Sequence, residues 1–162
     1  TEAVPWAAAN GLANVKLKRA VTDSTASRPY AYLEEFARAQ DIAGSIFQAR
    51  LDRTHPLGYG YRDELLPVFK DNAVFMEKPK NPYAAPLQYT ASPLISGYVS
   101  KPNLRQFSGA ASVVVSTQGS GRTILIADNP NFRAFWYGTN KLFVNALFFG
   151  KVISAAAGRA EE

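Results

Sequence analysis

The stretch Gly119 to Gly150, GSGRTILIADNPNFRAFWYGTNKLFVNALFFG, predicts the order of elements at the end of the fold. A glycine-containing turn is followed by the β-branched run Arg122 to Ala127, and then by a long repeat of apolar residues at intervals of three and four. Asn129 suits a helix N-cap, and Pro130 suits the first helical position because its fixed φ is already helical. The stretch therefore predicts a buried strand followed at once by an amphipathic helix that lies on a sheet.

A second β-branched run, Ala111 to Ser116, precedes this strand across the segment TQGSG. Two such runs around a glycine-containing loop of about five residues predict an antiparallel hairpin. Gly119 and Gly121 are accordingly interpreted as turn residues. A phosphate-binding loop would place its glycines between a strand and a helix instead.

Periodicity predicts fewer and weaker elements in the rest of the chain. They are an Ala-rich helix within residues 3–14 that ends near Gly11, a helix over about Tyr30–Ala43, and strands at Ser45–Leu51, within residues 72–77 and at Leu94–Val99. Residues 79–93 contain four prolines and are predicted to be mostly loop, because proline cannot donate a backbone hydrogen bond. Residues 151–162 are expected to form a frayed tail.

Composition indicates one globular domain over residues 1–162. The 162 residues are 47% hydrophobic and 19% charged, and no apolar run approaches the ~18 residues of a membrane span. A start at Thr1 without an initiator Met or a signal-peptide pattern indicates a processed protein or part of a longer one. We predict an α/β fold with a mixed sheet, an antiparallel C-terminal hairpin and flanking helices.

The net charge of +5 does not by itself indicate a nucleic-acid partner. Nucleic-acid binding requires basic residues clustered on one face, with aromatic side chains among them. Here they are scattered along the sequence: Lys16, Lys18, Arg19, Arg28, Lys78, Lys80, Lys101 and Arg105. The sequence predicts no nucleic-acid partner.

The residues for several common catalytic sites are missing from the sequence. There is no cysteine, and His55 is the only histidine. A catalytic zinc site usually has three protein ligands, and neither HExxH nor GxSxG occurs, so neither zinc hydrolysis nor a serine triad is indicated. We predict no catalytic residue, no bound metal and no cofactor in this chain.

Three residues remain as candidate ligand contacts. His55, in THPLGYGY, is expected to brace a turn through a backbone carbonyl, with ligand contact as the alternative. Asp128 follows a buried strand, where α/β domains place ligand sites, but the favoured interpretation is that it caps and stabilises the N-terminus of the helix predicted at Pro130. Arg133 lies on that helix and either binds a ligand or, like Asn145, satisfies a buried carbonyl.

Aromatic and amide side chains on the same helix are candidate contacts with a neighbouring domain. They are Trp136, Tyr137 and Asn140. Tryptophan and tyrosine are frequent at interfaces because they bury a large area at a small entropic cost.

Two motifs resemble the class I glutamine-amidotransferase-like domain attached to bacterial zinc carboxypeptidases of the carboxypeptidase A type. They are HPLGYGY and the stretch from Gly119 to Gly150, and the opening AVPWAAANGL is similar to the same family. The resemblance implies the C-terminal part of a flavodoxin-like domain. In that family the zinc ligands lie in an upstream peptidase domain, and nothing in this sequence matches them.

The resemblance also implies what this chain does not do. The cysteine nucleophile of active amidotransferases would precede Thr1, and Leu57 stands where their glutamate would follow the His-Pro step. The chain is therefore expected to be a non-catalytic accessory domain of a periplasmic or secreted metallocarboxypeptidase, a peptidase and hence a hydrolase. Its expected partners are the parent's peptidase domain and, through faces left uncovered, a second copy of itself. The alternative is a small-molecule-binding domain with a site near Asp128 and the His55 loop.

Overall fold

The computed structural model describes residues 2–18 and 28–159 of the chain. Its strands are β1 (Ser45–Leu51), β2 (Leu65–Lys70), β3 (Met76–Glu77), β4 (Leu87–Ser96), β5 (Ala110–Gln118) and β6 (Gly121–Ile126). Its α-helices are α1 (Ala3–Ala9), α2 (Leu33–Ala39), α3 (Lys101–Gln106) and α4 (Tyr137–Phe149), with short 3₁₀ turns between elements. No helix in the described ranges is long and apolar enough to span a membrane.

The strands form one curled sheet in the order β2-β1-β4-β5-β3, with β6 also paired to β5. Each pairing among the described strands is antiparallel. The backbone N–H of Asn129 donates to the carbonyl of Phe69 at 2.9 Å, so the segment after β6 returns to the end of β2. The predicted α/β class is confirmed, and the sheet that was expected to be mixed contains antiparallel pairs throughout its described strands.

β5 is buried on both sides because successive strand residues point to opposite faces of a sheet. Val113 and Val115 pack into the larger core cluster, which contains Phe47, Phe107 and Leu142. Val114, between them, packs into a second cluster with residues of α1. The sheet therefore has an apolar layer on each face.

The C-terminal hairpin is confirmed, with a shorter loop than expected. β5 and β6 pair from Val113–Ile126 to Gln118–Gly121, which leaves Gly119 and Ser120 as the loop. Gly119 has a φ of +56°, a conformation that glycine adopts at little cost. The N-terminal helix also ends as predicted, since Gly11 follows α1 with a φ of +67°.

The predicted helix start at Asn129 and Pro130 is wrong, because α4 begins at Tyr137. The side chain of Asn129 donates to Asp71 at 3.0 Å and caps no helix. Phe132 stacks on Phe69 with ring centroids 4.0 Å apart, which holds the connection against the end of β2. The next two residues, Arg133 and Ala134, have φ values of +50° and +57°, so an α-helix cannot run through them.

The apolar repeat that predicted this helix turns inward only in part. Thr139, Leu142 and Asn145 are its buried residues, whereas Phe143 and Leu147 are exposed. Asn145 lies inward because its amide donates to the carbonyls of Leu57 (2.8 Å) and Tyr59 (2.9 Å), in and just after the distant turn Pro56–Gly58.

The middle of the chain contains more regular structure than its prolines indicated. β4 includes Pro93 at an irregular part of its register, and Pro67 lies in β2, which pairs with β1 alone among the described strands. Edge strands and bulges are the places where a sheet accepts proline. α3 was not predicted; Ser100 caps it, and Pro102 lies in its first turn. The helix predicted to reach Ala43 ends at Ala39.

Residues 151–159 pack against the fold rather than fraying. The turns Gly150–Val152 and Ala155–Gly158 flank Ile153, which is buried in the larger core cluster. The hydroxyl of Thr117 donates to the carbonyl of Ala155 at 2.8 Å. The rest of the predicted tail, residues 160–162, lies outside the described residues.

Candidate functional site

Asp128 is the centre of a buried polar network. The hydroxyl of Tyr89 donates to its Oδ1 atom at 2.5 Å, and the hydroxyl of Ser112 donates to its Oδ2 atom. The ammonium of Lys70 lies 3.4 Å from Oδ1. Asp128 is only 5% exposed, and the other three side chains are buried as well.

Lys70 is the most unusual member of this network because its side chain is entirely buried. Its Nζ atom donates to the carbonyl of Ala127 at 3.2 Å as well as facing Asp128. It also lies over the rings of Phe75 and Tyr89, at 5.3 and 5.9 Å from their centroids. Burial lowers the pKa of Lys70, and the negative charge of Asp128 opposes that lowering.

The network joins four parts of the sheet. Lys70 ends β2, Tyr89 lies in β4, Ser112 lies in β5, and Asp128 follows β6. Burial, followed by the charge of Asp128, raises the pKa of Tyr89 well above its usual 10.0, which keeps the phenol a hydrogen-bond donor. Each described contact therefore satisfies a buried polar group through a residue on another part of the sheet. This is what a network that braces the fold does.

Access to the network is restricted. The carboxylate of Asp128 and the ammonium of Lys70 are already bonded and nearly inaccessible to solvent. One cleft of about 730 Å³, lined by residues 50–54, 85–86 and 88–91 among others, reaches Tyr89. A substrate in that cleft would meet the tyrosine before the two charged groups.

Asp128 was predicted either to contact a ligand or to stabilise a helix N-terminus. The second interpretation is wrong, because α4 begins nine residues later and the carboxylate points into the network. The position of Asp128 at a strand end was recognised from sequence, but its partners Lys70, Tyr89 and Ser112 were not. A signal existed: Lys70 continues the inward alternation of Leu66 and Val68 in β2.

His55 braces the turn Pro56–Gly58 through one ring nitrogen. Its Nδ1 atom accepts the backbone N–H of Leu57 at 3.2 Å, in place of the carbonyl contact that was expected. The buried Nε2 atom has no hydrogen-bond partner among the described residues. Burial lowers the pKa of His55, with Asp52 opposing, so the neutral ring is favoured.

Arg133 is exposed on the connection before α4. Its guanidinium lies 5.2 Å from the centroid of Phe132, and the prediction that it satisfies a buried carbonyl finds no such bond among the described residues. No hydrogen bond or ion pair within the described chain joins His55, Asp128 and Arg133 to one another. The three ligand-contact candidates are therefore not assembled into one site by direct polar contacts.

The three candidate interface residues lie at the start of α4 in different environments. Trp136 packs near Phe69, with ring centroids 6.0 Å apart, and its buried Nε1 atom has no partner in the described residues. Tyr137 is 76% exposed, and Asn140 is half-buried.

Tyr137 belongs to a larger exposed apolar surface. Tyr137, Val144 and Phe148 are spaced by seven and four residues, which places them on one side of the helix. Leu147 flanks this line, and Val152 continues beyond the helix. We call Tyr137, Val144, Leu147, Phe148 and Val152 the α4 face. Phe148 is 76% exposed, so the large apolar side chains here lack a covering element within the described chain.

The described residues contain no group of three or more His, Asp or Glu side chains placed to hold a metal ion. Asp52, close to the single histidine, instead accepts the backbone N–H of Thr54 at 2.9 Å and its hydroxyl at 2.6 Å. These bonds, the hydroxyl first, lower the pKa of Asp52 despite the opposing effect of burial.

Comparison with known proteins assigns no family to the chain. No protein-family description, no curated protein and no solved structure matches it. The described structure is an α/β domain with a curled antiparallel sheet, a buried Lys–Asp brace and an apolar face of α4 that no described element covers.

Proposed function

We propose that the chain is a non-catalytic accessory domain from the C-terminal region of an exported, periplasmic or secreted zinc metallocarboxypeptidase. In this proposal it packs on the peptidase domain of its parent and helps to position that domain's substrate. Zinc and the hydrolytic residues belong to the parent's peptidase domain. The resemblance of HPLGYGY and of Gly119–Gly150 to that family supplies the biological setting.

The observation that carries the proposal is the α4 face. Large apolar side chains grouped on one helix side are costly in water, at about 25 cal/mol for each Å² left exposed. Tyr137 and Phe148 are both three-quarters exposed, while the opposite side of α4 is anchored by Leu142 and Asn145. A helix fixed on one side and apolar on the other suits a second folded domain.

The buried network supports the non-catalytic part of the proposal. A general acid, base or nucleophile must reach a substrate proton or carbonyl within hydrogen-bond distance. Lys70, Ser112 and Asp128 instead bond one another and Ala127 inside the sheet. The polar groups of these three residues are therefore used in hydrogen bonds that stabilise the fold.

The occupant of the α4 face is, in this proposal, the peptidase domain of the same polypeptide. Tethering gives such a contact a high effective concentration, so a modest apolar face is sufficient for stable packing. A second copy of this chain is the competing occupant, and it would make the contact depend on protein concentration.

The test uses the longer gene product that the proposal requires. In the variant Leu147→Glu/Phe148→Glu, two charges replace exposed apolar groups, which changes the stability of the domain itself by about 0.5 kcal/mol per site or less. Calorimetry is expected to show one coupled transition in the wild type and two separate transitions in the variant. Leu33→Glu on α2, where the leucine is also exposed, is the matched control and should leave the single transition intact.

Three results would overturn the proposal. They are a gene product without a zinc peptidase domain, unchanged coupling in the double variant, and stoichiometric zinc bound by this chain alone. Coupling that depends on protein concentration would assign the face to self-association.

A second candidate function is small-molecule binding near Asp128 and the His55 loop. The cleft of about 730 Å³ favours it, since its lining includes Thr54, next to His55, and Tyr89, which bonds Asp128. Arg53 and Asp52 would offer charges of both signs to a ligand. Tyr89→Phe should then weaken binding in a small-molecule screen by fluorescence or calorimetry, and a screen without a hit would reject this candidate.

A further inference from the structure

Basic residues that are scattered in the sequence line one cleft in the structure. Lys16 follows α1, Lys78 and Lys80 follow β3, and Arg159 lies at the end of the described chain. Together they border a cleft of about 360 Å³, which we call the basic cleft. This cleft is separate from the α4 face and from the buried network.

The charge balance of the basic cleft favours an anion. Its lining holds four cations and one carboxylate, Glu77, which leaves a formal charge of +3. None of the four cations forms an ion pair with a described residue, so their charges are available to a ligand. The Coulombic attractions of several cations that act on one anion add up.

Glu77 repels an incoming anion less than its position implies. Burial lowers the pKa of Lys18 and the charge of Glu77 opposes this lowering, so Glu77 also attracts a cation that is not part of the lining. Lys18 is itself held in place, because its Nζ atom donates to the carbonyls of Gln106 (2.8 Å) and Ser108.

The walls of the basic cleft are firmly packed. Asn81 is buried, donates to the carbonyl of Ala156 at 2.8 Å and accepts the backbone N–H of Tyr83 at 3.1 Å. Ala84 and Val115 supply buried apolar surface. Such a fixed, small enclosure fits a compact ligand better than a flexible polymer.

We propose that the basic cleft binds a compact oxyanion of the phosphate class that carries two or more negative charges. The anion is either inorganic or the phosphate end of a small ester. This inference is independent of the proposed accessory function, because it concerns other residues and is tested on the isolated chain.

The experiment is calorimetric titration at low ionic strength with inorganic pyrophosphate and, separately, with glucose 6-phosphate. Saturable binding of either is the expected result, and the tighter of the two identifies the inorganic or the ester source. Lys78→Gln/Lys80→Gln is expected to weaken binding by about tenfold or more, since it removes two of the four cations.

Lys101→Gln/Arg105→Gln is the matched control, because it removes the same net charge from exposed positions on α3. It should weaken binding clearly less than Lys78→Gln/Lys80→Gln does, because neither Lys101 nor Arg105 lines the basic cleft. Circular dichroism checks the fold of both variants, and Lys16→Gln replaces the first should it fail to fold. Absence of saturable binding, or equal weakening in both double variants, would overturn the proposal.

Discussion

The Nζ atom of Lys70 lies 3.4 Å from Oδ1 of Asp128 inside the sheet, and neither side chain has appreciable contact with solvent. Removing two charges from water is expensive, and their attraction repays the cost only when further hydrogen bonds satisfy both groups. Here the hydroxyls of Tyr89 and Ser112 donate hydrogen bonds to the carboxylate, and the ammonium donates one to the carbonyl of Ala127. The fold therefore depends on the pair remaining intact.

We predict that Asp128→Asn lowers the free energy of unfolding by about 3–5 kcal/mol, because it leaves the buried ammonium of Lys70 without its counter-charge. Urea denaturation followed by circular dichroism measures the change. Glu64→Gln is the control, since the Arg50–Glu64 pair is more than half exposed and should contribute no more than about 1 kcal/mol. Equal losses in both variants would contradict the role assigned to the network.

Acid is predicted to destabilise the protein through its single histidine. Burial holds the pKa of His55 below its usual 6.5, so below that pH the unfolded state binds a proton more readily than the folded state. The free energy of unfolding therefore falls as the pH drops below 6.5 and continues to fall down to the lowered pKa. Denaturation curves from about pH 7 to about pH 5 measure this dependence.

His55→Asn is the informative variant for this effect. Asparagine can accept the backbone N–H of Leu57 in the same capping position but does not titrate. We expect a flatter pH profile over that range than in the wild type. A wild-type profile that is already flat, or an NMR titration giving His55 a pKa above 6.5, would count against the assignment.

Gly58 is predicted to tolerate no side chain. A Cβ atom there would lie 2.7 Å from the carbonyl oxygen of Asp52 and 2.9 Å from Cα of Arg53, both backbone atoms. Gly58→Ala should therefore cost about 1–3 kcal/mol of stability. Gly121→Ala, whose nearest contact would be 3.4 Å away, should have a much smaller effect on the thermal midpoint. Similar midpoints for the two variants would refute this view of the turn.

Local sequence patterns predicted the elements whose packing follows their own periodicity. The hairpin of β5 and β6, β1 and the end of α1 at Gly11 belong to this group. The start of α4 does not, because the stacking of Phe132 on Phe69 and the bond from Asn129 to Phe69 outweigh a favourable Asn-Pro cap. Contacts between residues about sixty positions apart cannot be read from a local pattern.

The polar network shows the same limit at the level of the site. Asp128 was recognisable at a strand end, and the alternation of β2 turns Lys70 inward, but no local pattern shows that the curl of the sheet brings the two together. The basic cleft is a second example, since Lys16 and Arg159 come from opposite ends of the chain. Charge clustering on a surface depends on topology, and topology was the least predictable property of this sequence.

The central claim is that the α4 face is covered by a peptidase domain of the same polypeptide. Hydroxyl-radical footprinting tests it most directly by comparing the oxidation rate of Tyr137 in the isolated chain and in the longer gene product. Tyr83, which is 67% exposed in a 3₁₀ turn between β3 and β4, is the internal control. The account predicts several-fold protection of Tyr137 in the longer protein with Tyr83 unchanged; equal oxidation of Tyr137 in both would contradict it.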